Sequence, residues 1–494
     1  MQNKVQLIAY VDRLANGGIQ EFEALLNGPL SGLFGGAHLL PFFHPIDGAD
    51  AGFDPIDHSQ VDRRLGDWES LKALARGIDI TADLIVNHIS EDSPQFRDYL
   101  RNGPDSVYAG MFLTPESVFP DGPTEADLAR IYRPRPSTPF VWKTLRDGSR
   151  KRFWATFTEK QIDLDVRNVH ARAYLRNILR TLSGNGVKVV RLDAVGYAIK
   201  TPGTNCFMTA ETYEFIRRIT GWARELGMEV LAETHTHYRR QIETARHVDW
   251  VYDFALPPLI LHSIFQKDAR SLKRWLDICP RNAVTVLDTH DGIGVMDIGP
   301  DAEDPGRKGL IEPRYVDAMV KRIHSNSDGV SRRASRHDVG NLDLYQVNCT
   351  YYDALGRSDN DYLIARLIQF FAPGVPQVYY VGLLAGVNDV QLFGKTRSGR
   401  DVNRRYYARA EIEAALTRPV VRSLIGLIRF RNTHPSFDGP FVLAESADHS
   451  LTIRRQLDEH WSELHVDFRA GTFNLDYSHD GRSLSTRSLD ALEV

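Results

Sequence analysis

Eight short apolar runs punctuate the first 382 residues, most of them preceded by a stretch with helical periodicity. They are KVQLIAY from Lys4, AHLLPFF from Ala37, ITADLIVNH from Ile80, VKVVRLDAV from Val187, MEVLAETH from Met228, VDWVYDF from Val248, AVTVLDTHD from Ala283 and VPQVYYVG from Val375. Nearly continuous Val, Ile and Leu predicts strands covered on both faces. Between them, Thr209 is placed to cap a helix through Tyr213, Ile216, Ile219 and Trp222 that ends at Gly227. A second helical pattern from Ala171 to Leu182 stops at Gly184-Asn185-Gly186. Strands alternating with helices predict βαβ units and a parallel sheet, and eight of them predict closure into a (β/α)8 barrel.

The uneven spacing predicts insertions. The barrel is assigned to 1–86, 168–291 and 351–435. A Pro-, Gly- and aromatic-rich stretch, 87–167, is too long for a plain crossover and reads as an inserted subdomain after the third strand. A second insertion, 292–350, follows the seventh. Beyond Pro435 the pattern changes to SLTIRR, WSELHVDF and GTFNLDY, which alternate between turn signals. Residues 436–494 therefore read as a small antiparallel β domain. The chain has 494 residues, 42% hydrophobic and 25% charged, which is ordinary globular composition. A net charge of −4 provides no bulk positive field for nucleic acid or a membrane surface. The start, MQNKVQLIAY, reads as a strand and not as a leader, and no apolar run reaches transmembrane length. Cys206, Cys279 and Cys349 are too scattered for a metal site or a disulfide framework. A cytoplasmic protein with no cofactor and no metal is expected. Its partners would be small molecules, and a homodimer is left open.

The strand ends carry the candidate chemistry, because reactive groups of a parallel barrel gather at its C-terminal face. The third run ends in Asn87-His88 and the fourth in Arg191-Leu192-Asp193. The fifth ends in Glu233-Thr234-His235 and the seventh in Asp288-Thr289-His290-Asp291. Arg191 and Asp193 are two apart and share a face, so the cation is expected to keep Asp193 ionised. Each residue has a plainer reading. Asp193 suits a helix N-cap, Glu233 an ion pair, and His290-Asp291 a turn. Their coincidence at four ends of one barrel favours a pocket, since burying so many ionisable groups is costly. Two converging carboxylates and a third acid suit glycoside chemistry, with one carboxylate as nucleophile and the other as proton donor.

The segments DLIVNH, VRLDAV, EVLAETH and VLDTHD, in that order, resemble the four characteristic stretches of the α-amylase superfamily. The resemblance makes Asp193 the nucleophile, Glu233 the acid/base and Asp291 the transition-state stabiliser, with Arg191, His88 and His290 flanking a glucosyl unit. Longer strings, among them LPFFHPIDGADAGFDPIDH, IYRPRP, NLDLYQVN and GVPQVYYVG, are similar to the sucrose phosphorylase subfamily. That likeness implies transfer of glucose from a sucrose-type α-glucoside to inorganic phosphate through a glucosyl-enzyme, giving α-glucose 1-phosphate. It also implies that Asp50 and Arg400 grip the far hydroxyls of glucose. Arg135 and Tyr345 would lie on loops that exchange fructose for phosphate, and Tyr197, His235, Asp343 and Gln346 would line the acceptor side. Just before NLDLYQ the chain departs from the subfamily's mostly small neutral residues. It reads SRRASRHDVG, with Arg332, Arg333, Arg336 and His337. Cations bordering the acceptor pocket favour a phosphorylated acceptor, fructose 6-phosphate from sucrose 6′-phosphate, over plain sucrose. The bland alternative is a solvated surface loop. A hydrolase of the same fold and a non-catalytic sugar-binding protein are the remaining alternatives.

Overall fold

The computed structural model describes residues 1–492 except 49, 134–137, 302–303, 305 and 336–345. All eight apolar runs form strands: β1 Gln6–Ala9, β2 Gly36–Leu39, β3 Asp79–Ile85, β4 Val187–Asp193, β5 Glu229–Ala232, β6 Trp250–Asp253, β7 Ala283–Thr285 and β8 Val375–Tyr379. They pair in parallel in sequence order, and β8 closes on β1 with Gln6 opposite Gln377. Val189, Leu231, Tyr252, Val284 and their neighbours Phe254 and Val286 form a separate apolar cluster. A polar chain runs beside it: Gln377 accepts from Tyr252 (2.9 Å), the Tyr252 hydroxyl meets His38 Nδ1 (3.2 Å), and His38 Nε2 meets Asp83 (3.0 Å). Asp83 receives Arg191, so the chain leads to the catalytic mouth.

Local signals explain the flanking helices. Val169–Gly184 starts where the Asn168 side chain accepts from His170 N, and it buries Ala171, Leu175, Ile178, Leu179 and Leu182 on one stripe. Gly186 then enters β4 at φ +90°, where an added Cβ would stand 2.9 Å from Ala75. Ala210–Glu225 is capped by Thr209 as expected.

Within 87–167, strand 88–90 pairs antiparallel with 161–163, His88 opposite Asp163, and a hairpin joins 140–144 to 150–154. Leu113, Val118, Phe119, Ile131 and Trp154 form a small core with Cys206. Within 292–350, strand 293–294 pairs with 346–347, and helices span Pro313–Asn326 and Val330–Ala334. Five antiparallel strands between Phe441 and Thr486 make the C-terminal sheet. Arg455 ties it to the barrel by donating to the Ala372 carbonyl (2.6 Å). Among the described residues no helix is long and apolar enough to cross a membrane.

Candidate active site

At the end of β4 the chain reverses sharply. Ala194 sits in the left-handed region at φ +52°, an uncommon conformation for a residue with a Cβ. The chain then makes a single 3₁₀ turn, Val195–Tyr197. This geometry leaves Asp193 in the pocket, and the turn carries no side-chain cap, so the N-cap alternative does not apply. Tyr197 is turned back to line the same pocket.

Arg191 is the hub of the acids. Its Nη1 donates to Asp193 Oδ1 (3.0 Å) and to Asp83, and its Nη2 lies 2.7 Å from Glu233 Oε1. Glu233 Oε2 also reaches Ala194 N at 3.4 Å, beside Asp193. Two pocket carboxylates are thus bridged by neighbouring nitrogens of one guanidinium. The expectation that Arg191 keeps Asp193 ionised needs correcting for the free site. Burial pushes the Asp193 carboxyl well above the usual range; Arg191 opposes this, while Glu233, Asp83 and Asp291 add to it. The reason is sharing, since one cation faces three acids. For Asp83, burial is outweighed by Arg191 and His38, and its carboxyl is held below the usual range.

Asp291 is the opposite case. Burial works to raise its pKa, but Arg400, His290, Arg404 and His235 outweigh it and hold the carboxyl well below the ordinary range. Arg400 Nη1 lies 2.9 Å from Asp291 Oδ1 and 3.3 Å from Asp50 Oδ2. Arg404, buried beneath, reaches Asp50 at 3.5 Å and Asp291 at 3.7 Å. Its Nε donates to the His290 carbonyl (2.9 Å). His290 stacks on Phe53 (ring centroids 4.9 Å, 11°), and burial pushes its pKa well below the usual imidazole value. Burial lowers His88 likewise, and its Nε2 meets the Phe53 carbonyl at 2.9 Å.

The other side of the pocket centres on His235. It stacks on Phe254 (3.8 Å, 16°), with Nε2 3.3 Å from Gln346 Nε2 and 3.8 Å from Glu233. Its Nδ1 lies 3.5 Å from the fully buried Asp297. Burial acts to lower the His235 pKa, but Asp297, Glu233 and Asp291 raise it overall. One ligand atom each from Glu233, His235 and Asp291 falls within a 4.8 Å cluster, so these side chains converge on one point. Aromatic walls, a depressed carboxylate and two carboxylates held by one guanidinium suit a neutral sugar whose anomeric carbon becomes positive.

Comparison with known proteins agrees. Residues 34–252 match the α-amylase catalytic domain model. The sucrose phosphorylase of Agrobacterium vitis is 57% identical over 471 residues, covering 95% of this chain and 96% of that one. The chain belongs to the sucrose phosphorylase subfamily of the α-amylase superfamily. It is a phosphorylase of the glycosyltransferase type. The sucrose phosphorylase of Bifidobacterium adolescentis is 50% identical, covering 92% of this chain and 90% of that one. The crystal structure of a sucrose 6F-phosphate phosphorylase from Thermoanaerobacter thermosaccharolyticum superposes with a TM-score of 0.90 at 37% identity, covering 99% and 98% of the two chains.

Of the phosphorylase residues expected from sequence, Asp50, His88, Asp193, Tyr197, Glu233, His235, His290, Asp291 and Arg400 line one pocket. Arg191 lies behind it, and Gln346 reaches it through His235. Arg332 and Arg333 are not among the lining residues. They are exposed on helix Val330–Ala334, whose buried residues Val330 and Ala334 pack on Val402. Arg135, Arg336, His337, Asp343 and Tyr345 lie outside the described residues. Sequence reading misses Arg404, Asp83, Asp297 and Phe53. Asp83 alone left a signal, a carboxylate in the middle of an apolar run.

Proposed function

We propose that the chain is a retaining phosphorylase that transfers glucose from sucrose to inorganic phosphate. The observation that carries this reading is the bridging of Asp193 and Glu233 by one guanidinium, at 3.0 and 2.7 Å, which brings a nucleophile and its acid partner to one pocket as a retaining mechanism needs. Asp193 attacks the anomeric carbon as the bond to fructose breaks, and Glu233 passes its proton to the departing fructosyl oxygen. A phosphate oxygen then attacks the same carbon, Glu233 takes the proton back, and Asp193 leaves. Two displacements give α-glucose 1-phosphate. Asp193 has to be ionised when it attacks. The positive charge developing on the sugar favours that form, and Glu233 is the proton donor of the step. Asp291, held as a carboxylate, faces the same charge. Asp50 and Arg400 hold the far hydroxyls, and Arg135, Asp343 and Tyr345 are assigned to the exchange of fructose for phosphate.

Unphosphorylated sucrose is preferred for a specific reason. Among the described residues lining the pocket, the one arginine is Arg400, already engaged with Asp50 and Asp291. Arg332 and Arg333 face solvent. The two relatives at 57% and 50% identity are sucrose phosphorylases. Sucrose 6′-phosphate remains the second reading, favoured by the basic stretch through Arg336 and His337 and by the 0.90 TM-score neighbour. Product analysis with sucrose and with sucrose 6′-phosphate, each with and without phosphate, separates them. Phosphate-dependent release of fructose is expected. Faster turnover of the phosphorylated sugar would reverse the preference, and equal rates without phosphate would indicate a hydrolase.

A further inference from the structure

Outside the groups already described, Lys200 is a fully bonded buried charge near the pocket. Its side chain is 1% exposed, and its ammonium lies 2.7 Å from Oδ2 of the fully buried Asp163. It donates to Asn87 Oδ1 (3.0 Å) and to the Tyr197 carbonyl. The face of Trp154 lies 5.6 Å away. An ammonium has three N–H donors, and all three find an acceptor. Taking such a pair out of water is costly, and a buried pair is weak evidence for stability alone.

The three acceptors adjoin pocket-lining residues on three segments of the chain. Asn87 follows β3 and immediately precedes His88, which lines the site. Tyr197 ends the turn that begins at Ala194, next to Asp193, and it also lines the site. Asp163 belongs to strand 161–163, which pairs with 88–90 and presents Gln161 to the same pocket. Asp163 is itself fixed by Thr156, whose N (3.0 Å) and Oγ1 (2.5 Å) donate to it. One ammonium therefore ties a barrel strand end, the turn after Asp193 and the 87–167 insertion to a single point.

We propose that Lys200 is a positioning residue for glucosyl transfer, holding the His88 and Tyr197 walls in register with Asp193. It touches no substrate. Its effect is on alignment, and a misplacement of about 1 Å at a reacting centre costs roughly a hundredfold in rate. The inference rests on the proposed transfer reaction only through its assay. A wild-type enzyme inactive on sucrose with phosphate would overturn that reading, whereas the present inference is judged by the ratio of variant to wild type on whichever substrate the wild type turns over.

The test is chemical rescue. Lys200→Ala leaves three oxygens facing a space the size of a small ammonium ion. The folded variant, checked by circular dichroism, is expected to lose roughly a hundredfold in kcat. Methylammonium chloride should restore at least about a tenth of the lost activity, while tetramethylammonium chloride at equal ionic strength, too large and without N–H donors, should restore none. A variant within threefold of wild type would overturn the proposal, as would a loss that both salts relieve equally or neither relieves. If Lys200→Ala does not fold, the double variant Lys200→Met with Asp163→Asn removes the unpaired charge. A fall in kcat in that folded protein supports the proposal, and wild-type kinetics overturn it.

Discussion

The two ends of the pocket are built differently. The glucose end rests on strand termini and on buried charges that satisfy one another. Asp83, Asp193 and Glu233 surround Arg191, and Asp50 and Asp291 surround Arg400 and Arg404. The acceptor rim, as we propose it, draws on the 292–350 insertion, from which Gln346 reaches His235. Two of its described arginines, Arg332 and Arg333, are exposed on a five-residue helix, and Gln346 enters from a two-residue strand. Rigid elements place charge to within the tolerance that bond making requires, while loops carry the variation that selects an acceptor. Substitutions at the glucose end should therefore cost orders of magnitude, and those on the rim should cost little.

The largest effect is expected for Asp193→Asn. It preserves shape and removes the attacking charge, and kcat should fall roughly 10⁴-fold or more, the scale seen when a covalent nucleophile is lost. A purified, folded variant keeping a tenth of the activity would dismantle the glucose-end account. Glu233→Gln comes next. On sucrose it should cost about 10²–10⁴-fold, the range of general acid catalysis, and far less on α-glucosyl fluoride, whose leaving group needs no proton. Equal losses on both substrates would mean that Glu233 serves only to pair with Arg191.

Asp83→Asn tests whether the charges behind the pocket form one network. Removing one partner of a buried pair costs about 3–5 kcal/mol, measurable by urea unfolding near pH 6. The Asp83 pKa is depressed in the folded state, so its stabilisation is present above its unfolded value of about 3.9 and is lost as pH falls below it. The stability gap between variant and wild type should narrow in that direction; a gap that widens on acidification would refute the ion-pair assignment. The smallest effect is expected for Arg332→Ala with Arg333→Ala. Exposed charges contribute about 0–1 kcal/mol, so kcat/KM on sucrose should change by less than roughly threefold. A tenfold loss would bring these arginines back into the acceptor site.

The same contrast governs what the sequence reveals. All eight barrel strands are legible because burial on both faces leaves runs such as VKVVRLDAV that no amphipathic element shares. The three acids are legible because they end those runs. Arg404 is not, because its role depends on folding back across some 110 residues of chain to His290, and NRRYY looks like any surface turn. Lys200 is hidden for the same reason, since its partners Asn87 and Asp163 lie on separate segments. The shared use of Arg191 is also invisible. Residue spacing shows that it faces Asp193, but not that Asp83 and Glu233 compete for it. The basic stretch is legible as charge but not as position: Arg332 and Arg333 sit on the exposed side of a helix whose buried residues pack on Val402, and Arg336 and His337 lie outside the described residues.

The most direct test of the central claim, a covalent relay through Asp193 with Glu233 shuttling the proton, is the configuration of the sugar phosphate at the instant it forms. Proton NMR of sucrose and phosphate mixed with enzyme should show α-glucose 1-phosphate from the first spectrum onward, its anomeric configuration locked by the phosphate ester. Initial appearance of β-glucose 1-phosphate would mean a single displacement, and Asp193 could not then be the nucleophile.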